Sequence, residues 1–162
     1  MFEIKNTDSK NKTVFYAELQ QQAQGLFHGE KDLIANAANL SSLLFNSMHD
    51  VNWAGFYFYK DDELVLGPFQ GLPACIRIEM GKGVCGTAAK SLQTQLVDDV
   101  HAFEGHIACD AATRSELVVP LIQNGEFFGV LDLDSPIVAR FDLSDKSGIE
   151  KLAELFVKSL LE

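Results

Sequence analysis

Residues 115–133 read SELVVPLIQNGEFFGVLDL, and this stretch decides the fold. It predicts a strand over 115–122 and a partner strand over 127–133, because both runs are rich in β-branched and aromatic residues. Asn124-Gly125 lies between them, and this dipeptide favours a tight hairpin turn. The hairpin therefore predicts an antiparallel sheet as the core of the fold.

The segments before the hairpin continue the sheet. The aromatic run over 51–59 predicts a strand, and 64–68 predicts its returning partner. Shorter strands are predicted at 76–78 and 94–97, with a short helix over 84–91 between them. Residues 98–113 show no regular period and form a long connection, and connections of this length in compact domains are usually functional.

Helices are predicted at both ends of the chain. Apolar residues recur at helical spacing over 13–24, where Gly25 is expected to end the helix, and more strongly over 30–48 and 144–161. The fold class is therefore α+β. We expect terminal helices on one face of a central antiparallel sheet and loops roofing a pocket on the other.

Length and composition limit the possible functions. The 162 residues are predicted to form one domain over 1–162, with 1–12 as a loosely ordered arm. The net charge of −10 argues against binding to nucleic acid or anionic lipid. The sequence has no signal-peptide pattern and no apolar run long enough for a membrane span, so we expect a cytoplasmic protein.

Cys109 is the first candidate for chemistry, because it lies in a polar, loop-like run just before the hairpin. Only the thiolate form of a cysteine is a useful nucleophile. His106 or Arg114 could lower the pKa of Cys109, whereas Asp110 next to it would raise that pKa. The spacing alone leaves activation open.

Two more cysteines lie in glycine-rich segments, Cys75 within 71–75 and Cys85 within 81–86. A plain buried position is about as probable as a functional one for Cys85. Together with His106 and Cys109 these cysteines could also bind zinc, but their spacing lacks the close pairs of structural zinc sites. Segment 81–86 lacks the spacing of a phosphate-binding loop.

Three carboxylates form the second candidate group. Asp132 and Asp134 share one face of an otherwise buried strand, and Glu116 opens the preceding strand. Two carboxylates about 4 Å apart repel by about 4 kcal/mol, which can keep one of them protonated near neutral pH. The group could bind a substrate amino group, or the aspartates could be turn residues before Pro136.

Trp53 and Tyr57 lie four residues apart on a predicted strand and so share a face. They are either ordinary core aromatics or the wall of a pocket for a small sulfur- or methyl-bearing ligand.

A set of short motifs extends these observations to most of the chain. They are GPFQG (67–71), ACIRI (74–78), GKGVCGTAA (81–89), GHIACD (105–110), SELVVP (115–120) and GVLDLDS (129–135). Together they resemble the free methionine-(R)-sulfoxide reductases, which are single-domain proteins of the GAF fold. Glu104 departs from the pattern, which has proline before Gly105.

The resemblance implies a thiol mechanism on free methionine-R-sulfoxide. Cys109 would attack the sulfoxide sulfur, and Glu116 or Asp134 would protonate the oxygen. The sulfenic acid left on Cys109 would then be resolved by Cys75, with Cys85 taking part or substituting. A thioredoxin-type dithiol would reduce the disulfide, and no bound cofactor or metal is expected.

The resemblance also assigns the binding residues. Asp132 would hold the substrate ammonium together with the other two acids, and Trp53 and Tyr57 would surround the methyl end. A homodimer is expected by analogy with GAF domains. The competing hypothesis is a non-enzymatic GAF module that binds a small molecule or senses redox state, since one fold hosts many functions.

Overall fold

The computed structural model describes residues 2–5, 10–106 and 111–161. It contains four α-helices and six strands in these residues. In chain order the elements are α1 (Lys12–Phe27), α2 (Leu33–Ser47), β1 (Trp53–Lys60), β2 (Glu63–Gly71), β3 (Arg77–Glu79), α3 (Gly83–Ser91), β4 (Gln95–Val97), a short 3₁₀ turn (Val100–Ala102), β5 (Ser115–Gln123), β6 (Glu126–Ser135) and α4 (Leu143–Ser159).

The six strands form one antiparallel sheet in the order β3-β2-β1-β6-β5-β4. The predicted hairpin forms its β5–β6 pair, and Asn124 and Gly125 both have positive φ at the turn. The predicted α+β architecture with a central antiparallel sheet is thus confirmed. Among the described helices, none is both long enough and apolar enough to cross a bilayer.

Helix α1 and strand β6 both end later than expected. Helix α1 continues through Gly25 to Phe27, because burial of Ala23 and Phe27 outweighs the cost of about 1 kcal/mol for a glycine within a helix. The chain leaves the helix at His28 and Gly29, where φ is +74°. Strand β6 runs to Ser135, so Asp134 is a strand residue and not part of a turn.

Alternating side chains of the strands divide the core into two layers. One face packs on α1, α2 and α4, and Phe56 of β1 meets Phe156 of α4 at a ring-centroid distance of 4.7 Å. Each such buried side chain contributes about 1.5–3 kcal/mol. The opposite face carries Trp53 and Tyr57 and packs against α3. The predicted separation of terminal helices from the pocket face is therefore correct.

A buried carboxylate joins α1 to the start of α4. Asp145 accepts hydrogen bonds from Tyr16 Oη at 2.8 Å and Lys12 Nζ at 2.6 Å, and Arg140 Nη1 lies at 3.4 Å. A Cβ at Gly148 would lie 2.3 Å from the Tyr16 ring, so only glycine lets the two helices approach this closely. These contacts fix the position of the N-terminal helix.

Replacing Asp145 with Asn should lower the free energy of unfolding by about 2–3 kcal/mol, because a buried charge network loses its anion. Chemical denaturation at pH 7 would measure the change. Glu154→Gln, an exposed change in the same helix, should stay within about 0.5 kcal/mol of the parent. Equal stabilities for both variants would contradict the assigned role of Asp145.

Candidate functional site

The β5–β6 register brings three acids to one face of the sheet. Glu116 lies directly opposite Asp134, and Asp132 lies two residues from Asp134 on the same face. Glu116 is 7% exposed and Asp132 is 5% exposed, whereas Asp134 is half-buried. The expectation that Glu116 faces the two aspartates is confirmed.

Cys85 reaches this cluster from the first turn of α3. Its thiol donates to Glu116 Oε1 across 3.8 Å, and the ligand atoms of Cys85, Glu116 and Asp132 lie within 4.8 Å of one another. Cys85 is buried and free of any disulfide. The site therefore holds a thiol beside two buried carboxyls.

Burial makes this cluster retain protons. It raises the pKa of Glu116 well above its usual range, and the charges of Asp132 and Asp134 raise it further. Burial also raises the pKa of Asp132 to about 7, against the opposing effect of hydrogen bonds from Cys85 and Glu116. Mutual repulsion, the cause expected from the sequence, is therefore smaller than the effect of burial at both carboxyls.

The same surroundings suppress the reactivity of Cys85. Burial raises the pKa of its thiol, and the nearby carboxyls of Asp132 and Glu116 raise it further. Since only the thiolate is nucleophilic, Cys85 is a poor nucleophile in this environment. Its thiol acts here as a hydrogen-bond donor to Glu116.

Aromatic rings form one wall of the site. Trp53 stacks on Tyr57 with centroids 5.8 Å apart, and on Phe69 of β2 at 5.2 Å. Gly55 lies opposite Asp132, and a Cβ there would come within 2.8 Å of the indole ring. The glycine thus lets the indole lie across the strand. Sequence reasoning missed Phe69, because its place depends on the β1–β2 register.

Trp53 and Tyr57 also hold residues 72–75, the roof segment, which covers the site. Trp53 Nε1 donates to the carbonyl oxygen of Leu72, and Tyr57 Oη donates to that of Cys75, each at 3.1 Å. Cys75 is half-buried and disulfide-bonded. The predicted nucleophile Cys109 lies in 107–110, outside the described residues.

The cavity between sheet, α3 and roof brings together most of the expected site residues. It is lined by Trp53, Tyr57, Leu72, Pro73, Ala74, Ile78, Lys82, Gly83, Val84, Cys85, His106, Thr113, Glu116, Asp132 and Asp134. Burial and the neighbouring His101 lower the pKa of His106. Arg114 lies 3.7 Å from Asp99 in an ion pair.

Thr113 is a lining residue that sequence reasoning missed. It is 4% exposed, and its hydroxyl has no hydrogen-bond partner within the described parts of the chain. A threonine at the end of an irregular segment carries no sequence signal of its own. Only its burial in the cavity distinguishes it.

Cys75 cannot be a zinc ligand in this structure, because its sulfur is in a disulfide and is not a thiolate. Across the described ranges, the group close enough to hold a metal is instead Cys85, Glu116 and Asp132. A metal there would have to displace the protons that burial retains. An ammonium ion would likewise require one of these acids to ionise, but it would then donate hydrogen bonds to the carboxyl oxygens.

Comparisons with known proteins agree with this geometry. A family model described as "GAF domain" matches residues 32–160. The chain is 51% identical over 150 residues to "Free methionine-R-sulfoxide reductase" of Escherichia coli (strain K12), covering 93% of this chain and 91% of that protein. It is 44% identical to the protein of that name from Saccharomyces cerevisiae, covering 96% and 91%.

A solved structure gives the same match in three dimensions. It is described as "free methionine-R-sulfoxide reductase from neisseria meningitidis in complex with its substrate". The TM-score is 0.94 at 40% sequence identity, and the match covers 99% of this chain and 96% of that chain.

Replacing Asp132 with Asn should increase the free energy of unfolding, and the increase should be larger at pH 8 than at pH 4. A pKa raised from 3.8 to about 7 corresponds to about 4 kcal/mol in favour of the neutral acid in the folded state. The free-energy cost of ionising Asp132 in the folded protein is absent below the pKa that this group has in the unfolded chain. It grows as the pH rises towards the pKa of Asp132 in the folded protein. The gain in unfolding free energy should therefore be larger at pH 8 than at pH 4 by about 2–4 kcal/mol.

Denaturant unfolding at both pH values would measure this difference. Glu126→Gln removes an exposed carboxylate and should show the pH dependence of the parent. An equal gain for Asp132→Asn at the two pH values would mean that burial does not raise the pKa of Asp132.

Proposed function

The chain belongs to the free methionine-R-sulfoxide reductases, a group within the GAF family, and we propose that it reduces free methionine-R-sulfoxide to methionine. The observation that carries the proposal is the cluster of Glu116, Asp132 and Asp134 beneath a roof segment whose Cys75 is disulfide-bonded. The names of the relatives supply the substrate and its stereochemistry.

The acids account for recognition of a free amino acid. Asp132 Oδ1 is buried and accepts no hydrogen bond from a described residue. The ammonium group of the substrate would satisfy this oxygen, with Glu116 and Asp134 beside it. A methionine sulfoxide within a peptide has no ammonium group, and leaving these acceptors unpaired is costly. The free amino acid is therefore preferred.

Glu116 is the proton donor that the geometry favours. It is buried, and burial together with the charges of Asp132 and Asp134 raises its pKa well above the usual range, which favours the protonated form that can donate. Asp134 lies opposite Glu116 and is half-buried, so it can contact the same ligand from the facing strand. Glu116 would protonate the sulfoxide oxygen while Asp132 and Asp134 hold the substrate.

The redox step needs two thiols in total. The Cys109 thiolate attacks the sulfoxide sulfur, the oxygen is protonated, and rearrangement transfers that oxygen to Cys109 as methionine leaves. Cys109 becomes a sulfenic acid and the substrate sulfur is reduced by two electrons. The thiolate of the resolving cysteine then displaces water from the sulfenic acid and forms a disulfide.

Cys75 suits the resolving role better than Cys85. Cys75 is half-buried and disulfide-bonded, whereas Cys85 is buried, free and bears a thiol whose pKa is raised. A disulfide at Cys75 is accessible to an external dithiol, so a thioredoxin-type reductant can complete the cycle.

A cytoplasmic location and a homodimer stay predictions.

The direct test is NADPH oxidation coupled through thioredoxin reductase and thioredoxin. Free methionine-R-sulfoxide should be turned over, and the S isomer and N-acetyl-methionine-R-sulfoxide should be poor substrates. The N-acetyl compound keeps the sulfoxide but lacks the ammonium group. Tight binding of the R isomer without NADPH oxidation would favour the non-enzymatic GAF module instead.

Serine variants of the cysteines should separate their roles. Cys109→Ser should abolish methionine release, because the attacking thiolate is lost. Cys75→Ser should release about one methionine per chain without thioredoxin turnover, since only the first thiol step remains.

Amino-acid analysis after single turnover would measure the released methionine. Cys85→Ser is the matched comparison and should still be recycled by thioredoxin. Recycling by Cys75→Ser together with its loss in Cys85→Ser would reverse the assignment of the resolving cysteine.

A further inference from the structure

Cys85 is a buried thiol that the proposed mechanism does not need. It is free of any disulfide, and it lies against Glu116 in the acid cluster. Thiolate sulfur and carboxylate oxygen are both ligands that proteins use to bind zinc. The cluster therefore contains a donor set with a second chemistry besides the recognition of an ammonium group.

The three donor atoms have a spacing that suits one four-coordinate ion. Cys85 Sγ lies 3.8 Å from Glu116 Oε1, and the ligand atoms of Cys85, Glu116 and Asp132 all lie within 4.8 Å of one another. Zn–S and Zn–O bonds of about 2.3 and 2.0 Å separate sulfur from oxygen by about 3.5 Å in a tetrahedral site. Small side-chain adjustments would bring all three atoms onto one ion.

Asp132 supplies a separate sign that the cluster lacks a partner. Its side chain is 5% exposed and lines the cavity, and its Oδ1 accepts no hydrogen bond from the described parts of the chain. A buried acceptor without a partner is costly, so the position needs an explanation. The substrate ammonium satisfies this oxygen in the proposed function, and a metal ion would satisfy the same lone pair.

Regular elements hold the three donors in place. Glu116 and Asp132 belong to the paired strands β5 and β6, and Cys85 belongs to the first turn of α3. The start of α3 packs tightly on the turn before it, because a Cβ at Gly86 would lie 2.5 Å from the carbonyl oxygen of Glu79. Donors fixed in this way lose little conformational entropy when an ion binds.

The sulfur atom selects the class of metal. Mg²⁺ and Ca²⁺ take about six or more oxygen ligands, whereas Zn²⁺ binds thiolate together with carboxylate in sets of four. Cys85, Glu116 and Asp132 supply three of these ligands. The fourth position would face the cavity, which His106 also lines, so water or this imidazole could complete the set.

We propose that Cys85, Glu116 and Asp132 form an inhibitory site for Zn²⁺, in which the thiol and both carboxyls release their protons to solvent and bind the ion as anions. The ion occupies the position of the substrate ammonium, so zinc and methionine-R-sulfoxide exclude each other. Zinc acts here as a reversible inhibitor and takes no part in the redox steps. The inhibition rests on the proposed function, whereas the metal site does not.

Cobalt(II) is the probe for this site, because it takes the ligands of zinc and has a visible spectrum. The disulfide form at pH 8 is used, since Cys75 is then not a thiolate and the ligands bind as anions. About one Co²⁺ per chain should bind with a near-ultraviolet thiolate-to-cobalt charge-transfer band, and added Zn²⁺ should remove the band by displacement. No such band in a large excess of Co²⁺ would overturn the proposal.

Variants test which residues hold the ion. Cys85→Ser should abolish the charge-transfer band and weaken Co²⁺ binding at least about tenfold, since even changes outside the ligand shell cost about 10–100-fold. Asp132→Asn keeps the sulfur and should retain the band with a similar loss of affinity. Glu126→Gln removes an exposed carboxylate and should bind Co²⁺ like the parent.

Far-ultraviolet circular dichroism checks that each variant is folded. A band that survives Cys85→Ser in folded protein would place the ion elsewhere and contradict the assignment.

Competition tests the inhibitory role. Methionine-R-sulfoxide titrated into the cobalt-loaded disulfide form should remove the band, because the ammonium group and the ion need the same oxygens. A band that persists at saturating methionine-R-sulfoxide would contradict inhibition at a shared site. A protein that forms the band but neither binds nor turns over methionine-R-sulfoxide would refute the reductase function while the metal site stands.

Discussion

The burial of Glu116 and Asp132 on neighbouring strands is the constraint on which the site depends. The hairpin turn at Asn124 and Gly125, together with a register shift between Leu121 and Ile122, places Glu116 opposite Asp134. A slip of one residue would turn the acids to the helix-covered face. Burial then raises the pKa of both carboxyls, so the cluster can hold protons in the empty site and release one when a cation binds.

The two faces of the sheet divide stability and function between them. The layer of α1, α2 and α4 buries most of the apolar core and supplies the folding free energy. The opposite face can then tolerate polar atoms that no described residue satisfies, including Asp132 Oδ1 and Thr113 Oγ1. Such unpaired groups lower stability in the empty protein and gain partners when a ligand binds.

The sequence predicted features that rest on local pattern. Alternation within β6 placed Asp132 and Asp134 on one face, and Asn124-Gly125 identified the hairpin. The sequence did not predict features that depend on long-range packing. Thr113, for example, is recognisable as a site residue only because the fold buries it in the cavity. The choice of resolving cysteine is of the same kind, because Cys75 and Cys85 both lie in glycine-rich segments and differ in burial and bonding state.

Proton release on ligand binding tests the central claim most directly. The disulfide form cannot turn over, so methionine-R-sulfoxide can be titrated into it calorimetrically in buffers of different ionisation enthalpy. Because the empty site holds protonated acids, an arriving ammonium group should ionise one of them. We expect about one proton released per bound ligand near pH 6 and less near pH 9. Binding with no proton release at any pH between 5 and 9 would contradict the account.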